Sequence, residues 1–129
     1  MKHFEPRQAH EFLKSTPNAI FIDCRSEMEY LFVGHPTGAI LVPWNDGPNW
    51  DVNPDFVAHV KKAASVDRPI ILICRSGNRT KALSQFLSQQ AGYAKVYNVR
   101  NGIGAWAKEG RPMVSAAPAL AACRAARSC

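Results

Sequence analysis

Four consecutive aliphatic β-formers, Ile70-Ile71-Leu72-Ile73, run straight into Cys74-Arg75-Ser76-Gly77-Asn78-Arg79-Thr80, and a helical pattern follows at once. An unbroken apolar run of this length has no polar face to offer water, so it reads as a strand buried on both sides. That is the condition of a parallel sheet covered by helices. Further short runs rich in Ile and Val recur at 19–24, 40–42 and 96–99, each bounded by turn residues, and they too read as strands buried on both faces.

Helical spacing fills the intervals. Asn53-Pro54 offers an N-cap and a first-turn proline, followed by Phe56, Val57, Val60, Ala63 and Ala64. From Thr80 a stripe of Ala82, Leu83, Phe86, Leu87 and Ala91 runs to a stop at Gly92, with Phe86, Leu87 and the later Trp106 read as core. A weaker helix starts at Pro6, carrying Ala9, Phe12 and Leu13, and a short one spans Glu27, Tyr30 and Phe32. Alternating strands and helices define the expected fold class: α/β, one domain with a central, mainly parallel sheet flanked by helices on both faces. Ligands of such sheets bind beyond the carboxyl ends of the strands. The stretch 43–51 has no periodicity and reads as a long surface loop, with Trp44 and Trp50 tucked against the body or lining a pocket.

The domain is expected over 1–114. The alanine-rich tail 115–129 is open to several readings: a frayed helix, a disordered or partner-binding extension, or appended sequence. The formal charge is +6, with Arg124 and Arg127 of the tail among the contributors, and the longest basic run is Lys61-Lys62. That favours anionic partners weakly and gives no nucleic-acid-binding patch. No apolar run is long enough for a membrane helix, and the first residues lack the apolar core of a secretory signal. No membrane partner is expected. A cytoplasmic location is expected, with a periplasmic source left open because a removed leader would leave the same sequence. Cys24, Cys74, Cys123 and Cys129 form no C-x-x-C pair and have no histidine at zinc spacing, so neither a metal site nor a disulfide framework is expected.

Cys74 is the exception among these thiols, because it stands where a buried strand ends and a helix begins. A loop that turns directly into a helix aims backbone N–H groups and the positive end of the helix dipole at one point. An anion is favoured there, and at Cys74 that anion is the thiolate, with the guanidinium groups of Arg75 and Arg79 acting in the same direction. Gly77 gives the loop freedom to curl around the sulfur. A nucleophile so placed needs no histidine base.

Several segments in order resemble the single-domain form of the rhodanese-like sulfurtransferases, over about Glu5 to Met113. Phe21-Ile22-Asp23-Cys24-Arg25 with Glu29-Tyr30 is similar to the family's Asp-x-Arg segment. Gly34-His35-Pro36-Thr37-Gly38-Ala39-Ile40 is similar to its Gly-His-x-x-Gly-Ala turn, and Cys74-Arg75-Ser76-Gly77-Asn78-Arg79-Thr80 to its active loop. Gly92-Tyr93, Val96-Tyr97-Asn98-Val99, Gly102-Ile103 and Trp106 resemble its closing strand and helix. Asn101 stands where the family often has the first of two glycines, and Asn tolerates positive φ better than most residues.

The resemblance implies a ping-pong sulfur transfer without a cofactor. Cys74 would take sulfur from a small anionic, thiosulfate-like donor as a persulfide and pass it to a thiol, to cyanide or to a sulfur-carrier protein. Arg75 and Arg79 would attract the donor, and the N–H groups of Arg75, Ser76, Gly77, Asn78, Arg79 and Thr80 would stabilise the charged sulfur. Asp23 and Arg25 would hold Arg79 and the adjacent turns through an ion pair or hydrogen bonds. His35 reads as a residue that bonds the loop backbone, and Cys24 as a small apolar residue facing away from Asp23 and Arg25. Glu29 stands near where some two-domain relatives carry a basic substrate-binding residue, so the resemblance does not fix thiosulfate itself as the donor. Two other functions compete: a sulfur-carrier module loaded by protein partners, and a cysteine phosphatase or arsenate reductase. Only four residues separate Cys74 from Arg79, where phosphatase loops are one residue longer. The tighter cradle fits a single sulfur better than a phosphate.

Overall fold

The structure is a computed structural model that describes residues 2–46, 51–52, 54–75 and 78–114. Its centre is β7 (Ile70–Ile73), all four residues buried, as the unbroken aliphatic run requires. β2 (Ile20–Asp23) and β8 (Val96–Val99) pair with it on either side, and β4 (Ile40–Leu41) and β1 (Lys2–Phe4) form the edges. The order β1-β8-β7-β2-β4 is parallel throughout.

Side chains alternate across the sheet, which divides the core in two. On one face Ile22, Cys24, Ile70, Leu72, Cys74 and Val96 pack against Phe56 and Val60 of α2 (Phe56–Ala63) and Leu83 and Leu87 of α3 (Asn78–Gln90). On the other, Phe21, Ile71, Ile73 and Val99 meet Ala9 of α1 (Pro6–Ser15) and Ile103 and Trp106 of α4 (Gly102–Lys108). The helices therefore cover both faces, and burying each large aliphatic side chain contributes about 1.5–3 kcal/mol. Two small antiparallel pairs complete the fold. β3 (His35–Pro36) pairs with β9 (Met113–Val114), and β5 (Asn45–Asp46) with β6 (Asp51–Val52).

Several sequence expectations are corrected. Phe86 is 41% exposed rather than core, because the buried line of α3 runs through Thr80, Leu83, Ser84 and Leu87 to Ala91 beyond its end, and Phe86 lies off it. Ile40 is 40% exposed, since β4 is an edge strand and not covered on both sides. The stretch 43–51 holds the short β5–β6 pairing, with Trp44 packed edge-on against Phe56. α2 begins at Phe56 after a turn at 54–55, so Pro54 is not its first-turn proline; Asn53 and Trp50 lie outside the described residues. α3 begins two residues before Thr80. β1 has no counterpart in the sequence reading. The tail 115–129 also lies outside the described residues, and among those described no helix is long and apolar enough to cross a membrane.

Candidate active site

Cys74 follows β7 directly and is fully buried. Its neighbour Arg75 is exposed, and α3 starts at Asn78. Cys74 therefore stands beyond the carboxyl edge of the sheet, between the end of β7 and the start of α3, the position the fold class assigns to a ligand. The Cys74 Sγ lies 3.6 Å from Thr80 Oγ1, which is hydrogen-bond range for sulfur. Thr80 is itself fully buried, and its hydroxyl donates to Asn98 Oδ1 on β8. Asn98 Nδ2 in turn lies 3.1 Å from His3 Nδ1 on β1.

The backbone of the loop is held from the side by α4. Ile103 N–H donates to the Cys74 carbonyl at 2.8 Å and Gly104 N–H to the Arg75 carbonyl at 3.4 Å. This approach requires glycine at 102. Gly102 has φ +57, and a Cβ there would stand 2.1 Å from the Cys74 carbonyl oxygen and 2.7 Å from Arg75 backbone atoms. Asn101 just before it is also left-handed at φ 58, the tolerance expected of asparagine. Gly102→Ala is accordingly expected to cost about 1–3 kcal/mol in backbone strain and to displace the loop. Urea unfolding and the alkylation rate of Cys74 check this, and a variant unchanged in both would contradict the contact.

Asp23 and Arg25 form a bidentate ion pair with contacts of 2.8 to 3.2 Å, both side chains almost wholly buried. Arg25 also donates to the Gly34 carbonyl at 2.6 Å. Asp23 and Arg25 thus pair with each other, and Arg25 ties the end of β2 to the Gly34 turn. The Arg79 side chain, which the sequence reading placed here, lies outside the described residues, as do Ser76 and Gly77 and the side chain of Asn78. Glu29 accepts from the Ser26 N–H and hydroxyl at 3.1 Å each, while Ser26 Oγ accepts from the Glu29 N–H. Beside the loop opens a cleft of about 310 Å³ lined by Arg25, Glu29, Val33, Arg75, Ile103 and Gly104.

His35 Nδ1 lies 2.9 Å from the Tyr30 carbonyl and its ring stacks on Tyr30, the backbone-binding role expected of it. Cys24 Sγ donates to the Ile73 carbonyl at 3.3 Å and packs in the core cluster that contains Cys74. Burial first, and then the Asp23 carboxylate, push the Tyr30 phenol above its usual 10.0. The folded protein resists ionising this group more than the unfolded chain does. Its stabilising contribution is therefore complete below about pH 10 and is lost as pH rises through the folded-state value. Between about pH 9 and about pH 11 the unfolding midpoint is expected to fall further in the wild type than in Tyr30→Phe; equal falls would contradict the shift.

The structure brings Cys74, Arg75 and Thr80 together, with the Asp23–Arg25 pair at the neighbouring strand end. Sequence reasoning missed His3, Asn98 and the hold of α4 on the loop. Asn98 left one trace, a β-averse polar residue within the strand Val96-Tyr97-Asn98-Val99.

The family model described as "Rhodanese-like domain" matches residues 5–109. A protein from Allochromatium vinosum named sulfurtransferase is 47% identical over 103 residues, which cover 80% of this chain and 85% of that protein. The chloroplastic thiosulfate sulfurtransferase 16 of Arabidopsis thaliana is 38% identical over 95 residues, covering 71% of this chain and 77% of its own. Among solved structures, that of Rv0390 from M. tuberculosis superposes with a TM-score of 0.76 at 29% identity, covering 88% of this chain and 97% of that one.

Proposed function

The chain belongs to the rhodanese-like domain family, and from that premise we propose that it is a sulfurtransferase that carries sulfur on Cys74 as a persulfide. The observation that carries the reading is the buried Cys74 at the end of β7, hydrogen-bonded to Thr80 and followed directly by Arg75, which lines a cleft together with Arg25. The sulfurtransferase names of its relatives support the same class of reaction.

In the first half-reaction the Cys74 thiolate attacks the outer sulfur of a thiosulfate-like donor. An S–S bond forms to Cys74, the donor's own S–S bond breaks, and sulfite leaves with the electron pair. In the second half, an acceptor such as cyanide or a thiol attacks the outer persulfide sulfur and the Cys74 thiolate leaves. No net oxidation occurs and no cofactor is required. The Arg75 guanidinium draws the anionic donor in, whereas the charge of Arg25 is balanced by Asp23, so Arg25 shapes the cleft more than it attracts. Arg79 and the N–H groups of residues 75–80 complete the reading as stabilisers of the charged sulfur.

Initial rates of thiocyanate formation over a grid of thiosulfate and cyanide concentrations test this. Parallel double-reciprocal lines are expected, and intersecting lines would contradict a persulfide intermediate. A second reading has its own observation. Val33, which lines the cleft, is 67% exposed. An exposed apolar side chain at the cleft suits a protein acceptor that docks there and takes the persulfide directly. Negligible turnover with small acceptors, alongside persulfide formation, favours that sulfur-carrier role.

A further inference from the structure

A line of polar side chains leaves Cys74 and crosses two strands: Cys74 Sγ, Thr80 Oγ1, Asn98 and His3 Nδ1. Thr80 is fully buried, Asn98 is 3% exposed and His3 is half-buried. Asn98 and His3 are register partners on β8 and β1, so the sheet itself sets them face to face. A buried hydroxyl and amide amid apolar strands cost free energy unless both are bonded, and packing alone would place an aliphatic residue at 98.

Every member of this line can bond in either direction. The threonine hydroxyl has one proton and free lone pairs, the amide has an acceptor on one side and donors on the other, and neutral imidazole has one nitrogen of each kind. In the arrangement observed, Thr80 donates to Asn98 Oδ1, and Asn98 Nδ2 faces His3 Nδ1 as acceptor. Thr80 then presents only lone pairs to Sγ, which suits a neutral thiol whose S–H is the donor. An anionic sulfur requires the opposite. If the Thr80 proton turns to the sulfur, Asn98 Oδ1 loses its donor, unless the amide turns over. Nδ2 then bonds Thr80 Oγ1, and Oδ1 accepts from a His3 tautomer that carries its proton on Nδ1.

We propose that Asn98 and His3 are positioning residues that let Thr80 reverse its hydrogen bond to the Cys74 sulfur when that sulfur becomes charged. The His3 tautomer is thereby coupled to the state of a sulfur two side chains away. The thiolate part of the proposal needs only the thiol, whereas the persulfide part rests on the sulfur-transfer reading above.

Two measurements on the full chain test it. The first is ¹⁵N NMR of the His3 imidazole, comparing reduced protein with protein loaded from thiosulfate, the load being confirmed by mass on the same sample. In loaded wild type the Nδ1 resonance is expected to move from the unprotonated to the protonated range. In Thr80→Val, which breaks the line, it is expected to stay put. An unmoved Nδ1 in loaded wild type overturns the proposal, while failure to load strikes the sulfur-transfer reading instead. The second needs no donor and is the rate of iodoacetamide alkylation at Cys74, located by peptide mapping. His3→Phe is expected to slow it about tenfold, the scale of one hydrogen bond to a charged group. His3→Gln, whose amide can donate or accept, is expected to restore it to within about twofold of wild type. A His3→Phe rate equal to wild type, or a His3→Gln rate as slow as His3→Phe, overturns the proposal.

Discussion

Cys74→Ser is expected to lower thiosulfate-dependent thiocyanate formation by at least about a thousandfold, the scale on which loss of a covalent nucleophile acts. The substitution is conservative in volume, and the position is a fully buried strand end in contact with Thr80, so the fold should survive. What is lost is the chemistry. A serine hydroxyl stays protonated near neutral pH and cannot hold a transferable sulfur, whereas a thiolate can. An unfolding midpoint close to that of wild type separates this from a folding defect. Substantial residual turnover in folded Cys74→Ser would place the sulfur on another thiol, with Cys24, Cys123 and Cys129 the only others in the chain.

The second large effect is on stability. Asp23→Ala removes one half of an ion pair whose side chains are 0% and 2% exposed, leaving the Arg25 guanidinium buried without its carboxylate. Breaking a buried pair in this way typically costs about 3–5 kcal/mol, a large share of the roughly 5–15 kcal/mol that stabilises a domain. For a chain of this size the melting temperature should drop on the order of 10–20 °C. Arg25 also holds the Gly34 carbonyl, so the loss loosens the turn next to the cleft. The double variant Asp23→Leu with Arg25→Met removes both charges together, and is expected to recover most of the stability because no unpaired ion remains. Thermal melts of the two proteins decide the matter: a drop of only a few degrees in Asp23→Ala, or a double variant as unstable as the single one, would contradict the account.

The central strand, the alternation of elements and the placing of Cys74 could be read from the chain because they rest on local signals. An aliphatic run such as 70–73 has one physical solution, and a cysteine between a strand and a helix start is conspicuous in any sequence. The Asp23–Arg25 pair was half legible. A spacing of two on a strand puts both side chains on one face, but the bidentate bond between them depends on rotamers that spacing does not encode. Phe86 misled because a helical stripe marks every apolar position near the inner face, whereas the sheet covers only the line through Thr80, Leu83, Ser84 and Leu87.

What escaped notice was built from distant pieces. β1 is three residues, Lys2–Phe4, too short for alternation to register, and it exists through pairing with β8. The contact of α4 with the carbonyls of Cys74 and Arg75, like the line from Thr80 to Asn98 and His3, joins residues far apart in the chain. Such contacts exist only once the sheet has packed, and no local pattern in the chain encodes them.

The most direct test of the central claim is intact-protein mass spectrometry of reduced, folded wild type and Cys74→Ser after incubation with thiosulfate and again after cyanide. A gain of a single sulfur atom on wild type alone, removed by cyanide, is expected. The same gain on Cys74→Ser, or no gain on wild type with thiosulfate, 3-mercaptopyruvate or polysulfide, would contradict it.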